Sequence, residues 1–230
     1  MRINRYLSDA GVCSRREADR KIERGEVRID GRVATLGDKV EDGSEVLVCG
    51  KQVHPSGEKV VYLLNKPVGY VCTRNRREGK TVEELIRSPQ RVYPVGRLDK
   101  ASEGLLLMTN DGELSNNIQR ARNYHEKEYV VRVDRPVDEA FIRGMSGGVP
   151  ILDTVTRKCR IKRIGEFEFD IVLTQGLNRQ IRRMCEYFGY EVETLKRIRV
   201  MNMLLGNLKP GEYRTATEKE LKELYRLIGG

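Results

Sequence analysis

The segment Gly50-Lys51-Gln52-Val53-His54-Pro55-Ser56-Gly57-Glu58-Lys59 constrains the fold of this chain more than any other. It gathers glycine, proline and serine and offers little to bury, which is the composition of a linker. The expected division is a small domain over 1–50, a linker over 51–59 and a large domain over 60–230. In the small block, Ile3, Tyr6, Leu7 and Ala10 recur at helical spacing and Gly11 stops that helix. Ser14-Arg15-Arg16-Glu17 reads as a capping box that opens a second helix at Arg15, ending before Gly25. Val27 and Ile29 then alternate with polar residues, Asp30-Gly31 turns the chain, and 45–48 forms another strand. Two short helices and a small hairpin sheet are near the lower size limit for independent folding.

The large block mixes both periodicities. Strands are predicted over 60–64, 68–72, 92–95, 128–133, 155–161, 167–174 and 191–200, with a buried apolar run over 105–108. Helices are predicted over 82–87 (opened by Thr81 and Glu84), 114–121, 139–145, 179–188 and 218–228. Gly144-Met145-Ser146-Gly147-Gly148 reads as a plain turn. Short helices interleaved with strands that read as mixed pairs predict an α+β fold, built on a mixed, mainly antiparallel sheet flanked by helices.

Hydrophobic residues make up 39% of the chain and charged residues 33%, as in an ordered globular protein. No apolar run approaches ~18 residues, so no spanning helix is expected. From Met1 the sequence passes straight into patterned segments, without a secretory apolar region. Five cysteines at irregular gaps and two histidines exclude a disulfide scaffold and predict no metal site. A reduced, cytoplasmic protein is the expectation. There is no Walker loop, dinucleotide glycine fingerprint or nucleophile elbow, and no cofactor is expected. His125 reads as a surface or hydrogen-bonded residue. The balance of 43 basic against 34 acidic residues gives +9 and favours anionic partners.

The placement of the arginines says more. On the second helix Arg16, Arg20 and Arg24 form a row at spacing four, with Arg15 alongside. Like charges at that spacing repel by a few tenths of a kcal/mol per pair unless an anion lies opposite, and a phosphate backbone is such an anion. In the large block, Asp99 falls in a polar loop just before the apolar run, where a reactive group can stand on a rigid frame; from this segment alone, a surface pairing with Arg97 or Lys100 explains it better. Arg179, Arg182 and Arg183 crowd the N-terminal half of their helix, against its dipole by about 0.3–1 kcal/mol each. They are expected to face an anion, either a substrate phosphate or a carboxylate such as Asp99. Tyr129 alternates with Val131 and Val133, and by that pattern is a core tyrosine.

The run S-R-R-E-A (14–18) and the turn G-x-V-x-I-D-G (25–31) resemble the S4 RNA-binding domain. In the large block, G-R-L-D (96–99) followed by S-x-G-L-L (102–106), K-E-Y (127–129) and R-Q-I-R-R (179–183) together resemble the pseudouridine synthases, in the branch with an N-terminal S4 domain. The segments 141–145, 148–152 and 175–185 are most similar to large-subunit (23S) ribosomal RNA enzymes of that branch. The resemblance implies isomerisation of a specific uridine in a 23S stem-loop, with a tRNA uridine as a further target. It makes Asp99 the catalytic carboxylate, attacking C1′ or removing a ribose proton. Arg182 would hold Asp99 ionised by a charge-assisted contact. Tyr129 would stack on the flipped base and serve in the late proton transfer at C5. Arg97 would fill the space that the base vacates. Arg179, Arg183, Arg15, Arg16, Arg20 and Arg24 would contact phosphates. Some relatives continue into a basic tail, whose function is not expected of these residues. RNA is the expected partner, with no membrane and no metal, and a monomer is expected. Other readings are a non-catalytic S4-containing ribosome-associated factor, a synthase acting on small-subunit RNA, and a hydrolase using Asp99 as nucleophile.

Overall fold

The computed structural model describes residues 1–55, 57–73 and 76–229. These form two compact units: Met1–Val60 with Ser88–Val92 and Asn110–Gly112, and the remainder from Val61 onward.

In the first unit, α1 (Ile3–Asp9) and α2 (Arg15–Glu23) are followed by β1 (Val27–Ile29), β2 (Arg32–Val33), β3 (Val46–Val48) and β4 (Lys51–Gln52). Ser14 caps α2, its hydroxyl accepting from the Glu17 N–H at 3.2 Å. The strands form an antiparallel sheet in the order β2-β1-β3-β4. Ile3, Leu7, Ala18 and Ile22 from the helices pack on Val27, Ile29, Val46 and Val48. One expectation changes here. Lys51 and Gln52, placed in the linker, pair with Val48 and Leu47, and Val53 packs against the same core. The hairpin thus extends into the polar segment, and Ser56 of that segment lies outside the described residues.

The second unit carries β5 (Val61–Lys66), β6 (Tyr93–Pro94), β7 (Glu103–Thr109), α3 (Gly112–Gln119), β8 (Lys127–Val133), α4 (Glu139–Gly147), β9 (Pro150–Ile151) and β10 (Thr154–Val155). After them come β11 (Arg160–Arg163), β12 (Glu168–Leu173), α5 (Gln180–Tyr187), β13 (Val192–Val200), β14 (Met203–Leu204), β15 (Tyr213–Thr215) and α6 (Glu218–Gly229). The main sheet runs β11-β12-β8-β13-β7-β5-β15, with β14 on β13 and β6 on β7. Only the central β13–β7 pair is parallel; every other pair in the sheet is antiparallel.

Two cores lie on either side of that joint. One packs α4 and α5, through Phe141, Met145, Ile181 and Met184, on Val131, Val133, Phe169 and Ile171. The other packs Leu114, Ile118 and Leu224 of α3 and α6 on Val61, Leu63, Leu105 and Leu107. Burying each such aliphatic side chain stabilises by about 1.5–3 kcal/mol, so the joint between the cores is held rigidly from both sides.

Several local expectations are corrected. The 68–72 segment is no strand: Gly69 takes φ +93 and donates to the Lys100 carbonyl, and only Val71 bridges to Thr81. The helix expected at 82–87 is a 3-10 turn over Val82–Leu85, too short to propagate as α-helix. The strand expected at 155–161 is broken into β10 and β11. Gly144, Met145, Ser146 and Gly147, read as a turn, continue α4, which Asp138 caps by accepting from the Phe141 N–H.

Candidate active site

The central joint fixes the loop before β7. At the β13–β7 crossing Gly104 adopts φ +103, and a Cβ there would collide with the Arg197 backbone. Only glycine lets the two strands approach this closely. The loop over 97–102, entering β7, is pinned along its backbone. The Leu98 N–H donates to Cys72 Sγ at 3.4 Å, and the Lys100 carbonyl accepts from Gly69 at 2.8 Å. The Ser102 N–H donates to the Asp99 carbonyl at 3.0 Å. Lys66, fully buried, donates to the Ser102 carbonyl at 2.6 Å and to that of Pro67 at 3.0 Å. Its burial lowers the ammonium pKa, against the opposing pull of Cys72, Asp99 and Glu103. Arg182 holds the same loop from the other side, donating to the Ala101 carbonyl at 3.1 Å and to that of Val192 at 2.9 Å. The half-buried Asp99 carboxylate therefore stands on a loop clamped by two cations from different elements.

Asp99 opens into a cavity of about 330 Å³. Leu173 and Leu195 line it from β12 and β13, Ile118 and Gln119 from α3, and the segment from Gln175 to Arg182 leads into α5. Such a volume is at the small end of ligand sites and admits one small ligand rather than a helical segment. Among the described residues that line it, Asp99 is the lone carboxylate, facing Arg97, Lys127, Arg179, Arg182 and Arg197. This excess of positive charge calls for an anionic ligand.

Of the ten residues singled out by sequence, five meet here: Asp99, Tyr129, Arg182, Arg97 and Arg179. Tyr129 does pack against the core as its alternation suggested, and it also lines the cavity. Arg97 is exposed; Arg179 is exposed too, caps α5, and takes the left-handed φ of +49 that non-glycine residues rarely adopt. Arg182 departs from its expected role. Its guanidinium is bound to the two carbonyls rather than to the Asp99 carboxylate, and its Nε has no partner. Burial lowers its pKa, Arg179 adds to this, and the Asp99 charge opposes it. Arg183 does not line the cavity: it folds back on Asn178, donating to its carbonyl at 3.1 Å. Arg15, Arg16, Arg20 and Arg24 lie on α2, in the first unit. There Glu17 pairs with Arg20 at 2.6 Å and Glu26 with Arg24 at 2.5 Å, so part of the row is already neutralised. Among the described residues, Arg15 and Arg16 are exposed and have no ion pair.

Three cavity or loop cations escaped the sequence reading: Lys66, Lys127 and Arg197. Lys127 had a readable signal, since a period of two puts it on the face of Tyr129. Arg197, 3% exposed, donates to the Leu105 carbonyl at 2.6 Å and leaves Nη2 without a partner. His125 is half-buried, and burial, with the Lys127 charge, holds its imidazole below the usual range.

The described residues hold no group of three His, Cys, Asp or Glu side chains placed to bind a metal ion, and no helix is long and apolar enough to cross a membrane. Residues 60–187 match the family model described as RNA pseudouridylate synthase, and residues 1–46 match the S4 domain. The chain is 53% identical over 230 residues to the dual-specificity RNA pseudouridine synthase RluF of Escherichia coli (strain K12), covering 99% of this chain and 79% of that protein. It is 34% identical over 235 residues to the ribosomal large subunit pseudouridine synthase B of Bacillus subtilis (strain 168), covering 98% and 96%. A crystal structure of a pseudouridylate synthase superposes with a TM-score of 0.73 at 25% identity, over 97% of this chain and 99% of the other. The chain belongs to the RNA pseudouridine synthases, in the branch that carries an S4 domain.

Proposed function

We propose that the chain isomerises a specific uridine in a stem-loop of large-subunit (23S) ribosomal RNA, with a tRNA uridine as a further substrate. The observation that carries this reading is the single carboxylate, Asp99, held on a clamped loop in a small cationic cavity. The names of the E. coli and B. subtilis relatives support the choice of RNA. The uridine flips out of its helix, and Arg97, exposed at the cavity, fills the vacated space. Tyr129 stacks on the base. Asp99 then attacks C1′ or removes a ribose proton as the glycosidic bond breaks, and the rotated uracil rejoins through C5. Arg182 acts by positioning the loop. Residues 60–230 supply this chemistry, while Arg15 and Arg16 of α2, with Arg179 of the catalytic domain, contact phosphates. The protein works as a cytoplasmic monomer without a metal. A hydrolase would need a second base to activate water, and no other carboxylate lines the cavity among the described residues.

Tritium release from RNA labelled at uridine C5 tests the assignment. A synthase frees the C5 label and retains the base in the chain; a binding protein frees nothing, and a hydrolase frees labelled uracil. Either of the last two results overturns the proposal.

A further inference from the structure

Lys127 begins β8, two residues before Tyr129 and on the same face, so their Cα atoms are about 7 Å apart along the strand. Its half-buried side chain lines the cavity, yet among the described residues its ammonium meets no carboxylate and no hydrogen-bond acceptor. The other cavity cations differ. Arg182 and Arg197 are tied in place by backbone carbonyls, although Arg182 Nε and Arg197 Nη2 have no partner, while Arg97 and Arg179 are exposed and suited to phosphates. The Lys127 ammonium is open to the cavity rather than sealed in the core, so a ligand that displaces the water there must supply its acceptor.

We propose that Lys127 is a further residue of the reaction, its ammonium countering the negative charge that the uracil ring carries once the N1–C1′ bond has broken. This rests on the reading of the chain as a synthase. When that bond breaks, its electron pair leaves with the uracil, on N1 and the conjugated carbonyls. The sugar either forms a bond from C1′ to an Asp99 oxygen, or gives its C2′ proton to Asp99 and gains a C1′–C2′ double bond. After rotation, C5 bonds to C1′ and the sugar is restored; the C5 proton passes to solvent and N1 takes up a proton. If Tyr129 stacks on the ring, a side chain two residues back along the strand reaches the ring edge, where the charge is greatest. A fixed charge aimed at such a position is typically worth 10²–10³-fold in rate.

Burial, with the Arg197 charge adding to it, brings Lys127 down to about 8. The other charged or titratable groups lining the cavity are Asp99 and Arg97 from the loop, Tyr129 from β8, Arg179 and Arg182 from the α5 end, and Arg197 from β13, and His125 before β8 also feels the Lys127 charge, its imidazole held below the usual range. Helix α3 and strand β12 contribute none. A reaction that needs the ammonium therefore has a kcat/KM that is level near neutrality and falls as pH rises through about 8, because kcat/KM reports the free enzyme. Arginine stays charged throughout that range.

The experiment measures pseudouridine formation and RNA affinity for the full chain on a 23S stem-loop, with wild type, Lys127→Met and Lys127→Arg. The expected result is a loss of kcat of roughly 10²-fold for Lys127→Met with Kd within about twofold of wild type. Lys127→Arg should recover part of the rate and lose the fall near pH 8. A Lys127→Met chain with wild-type kcat overturns the proposal. So does a weakened Kd with unchanged kcat, which would make Lys127 a phosphate contact. If Lys127→Met does not fold, the pH profiles decide: a wild-type kcat/KM that stays level to pH 9.5, or the same fall in Lys127→Arg, refutes it. A wild-type chain that forms no pseudouridine fails the underlying reading and takes this proposal with it.

Discussion

Arg182 shows how a residue can matter to a reacting group without touching it. It bridges the Val192 and Ala101 carbonyls, and so ties the start of β13 to the Asp99 loop. Charge-assisted hydrogen bonds of this kind contribute about 1.5–3 kcal/mol each. Arg182→Met removes both bonds and should lower stability by about 3 kcal/mol or more and reduce turnover through loosening of the loop; a melt and a rate measured together check it, and a normal melt with lost turnover would return Arg182 to the direct ionic role. On the other face of the sheet, Asp170 on β12 lies beside Glu128 on β8, which is ion-paired to Arg199. Burial and the Glu128 charge push Asp170 up to about 6. Below about pH 4 both folded and unfolded chains hold this proton. Between there and about 6 only the folded chain holds it, and above about 6 the folded chain has lost it too. The stabilisation that the proton gives at low pH is thus lost as pH rises, and Asp170 carries a cost at neutral pH. Asp170→Asn should raise the melting temperature at pH 8 by about 2–4 °C, on the order of 1 kcal/mol after solvent screening, and change little at pH 4. A lower melting temperature at pH 8 would show that the carboxylate is needed there.

At the level of elements, α2 tests which arginines are available to RNA. Glu17 holds Arg20 and Glu26 holds Arg24, whereas Arg16 is exposed and has no ion pair among the described residues. Each phosphate contact contributes about 0.7 to 0.9 to the slope of log affinity against log salt. Arg16→Ala should flatten that slope by about one contact and Arg20→Ala by less, because Arg20 must first release Glu17. Equal effects would mean that the ion pairs open on binding at no cost. Elements with sustained periodicity were legible in the sequence: α2, α5, β8 and β13 fall within a residue or two of their predicted bounds. Those that failed are short and depend on distant partners. The apolar Val68 and Val71 look like strand residues, but the backbone between them bonds to Lys100. The three-residue β15 exists because Tyr213, Arg214 and Thr215 pair with β5, which lies some 150 residues earlier, and no local pattern announces it.

Across the whole molecule, the site forms where a single parallel pair joins two halves of an otherwise antiparallel sheet, each half with its own core. Asp99, Tyr129 and Arg182 were picked out as candidates because their motifs resemble a family, not because local patterning marked them, and the fold brings the three to one cavity. Lys66 and Arg197 could not be found that way: each reads locally as an ordinary surface cation, and only the pairing of distant strands buries it. The net charge of +9 predicts an anionic partner but not where it binds. The account as a whole depends on one carboxylate being chemically required and structurally dispensable. The decisive measurement is the pseudouridine yield of Asp99→Asn on a 23S stem-loop, made with a binding curve and a melt on the same preparation. The amide keeps the shape and removes the charge, so the variant should fold, bind the RNA with near wild-type affinity and lose turnover by at least ~10³-fold. A folded Asp99→Asn chain that still forms pseudouridine at a readily measured rate would contradict the account.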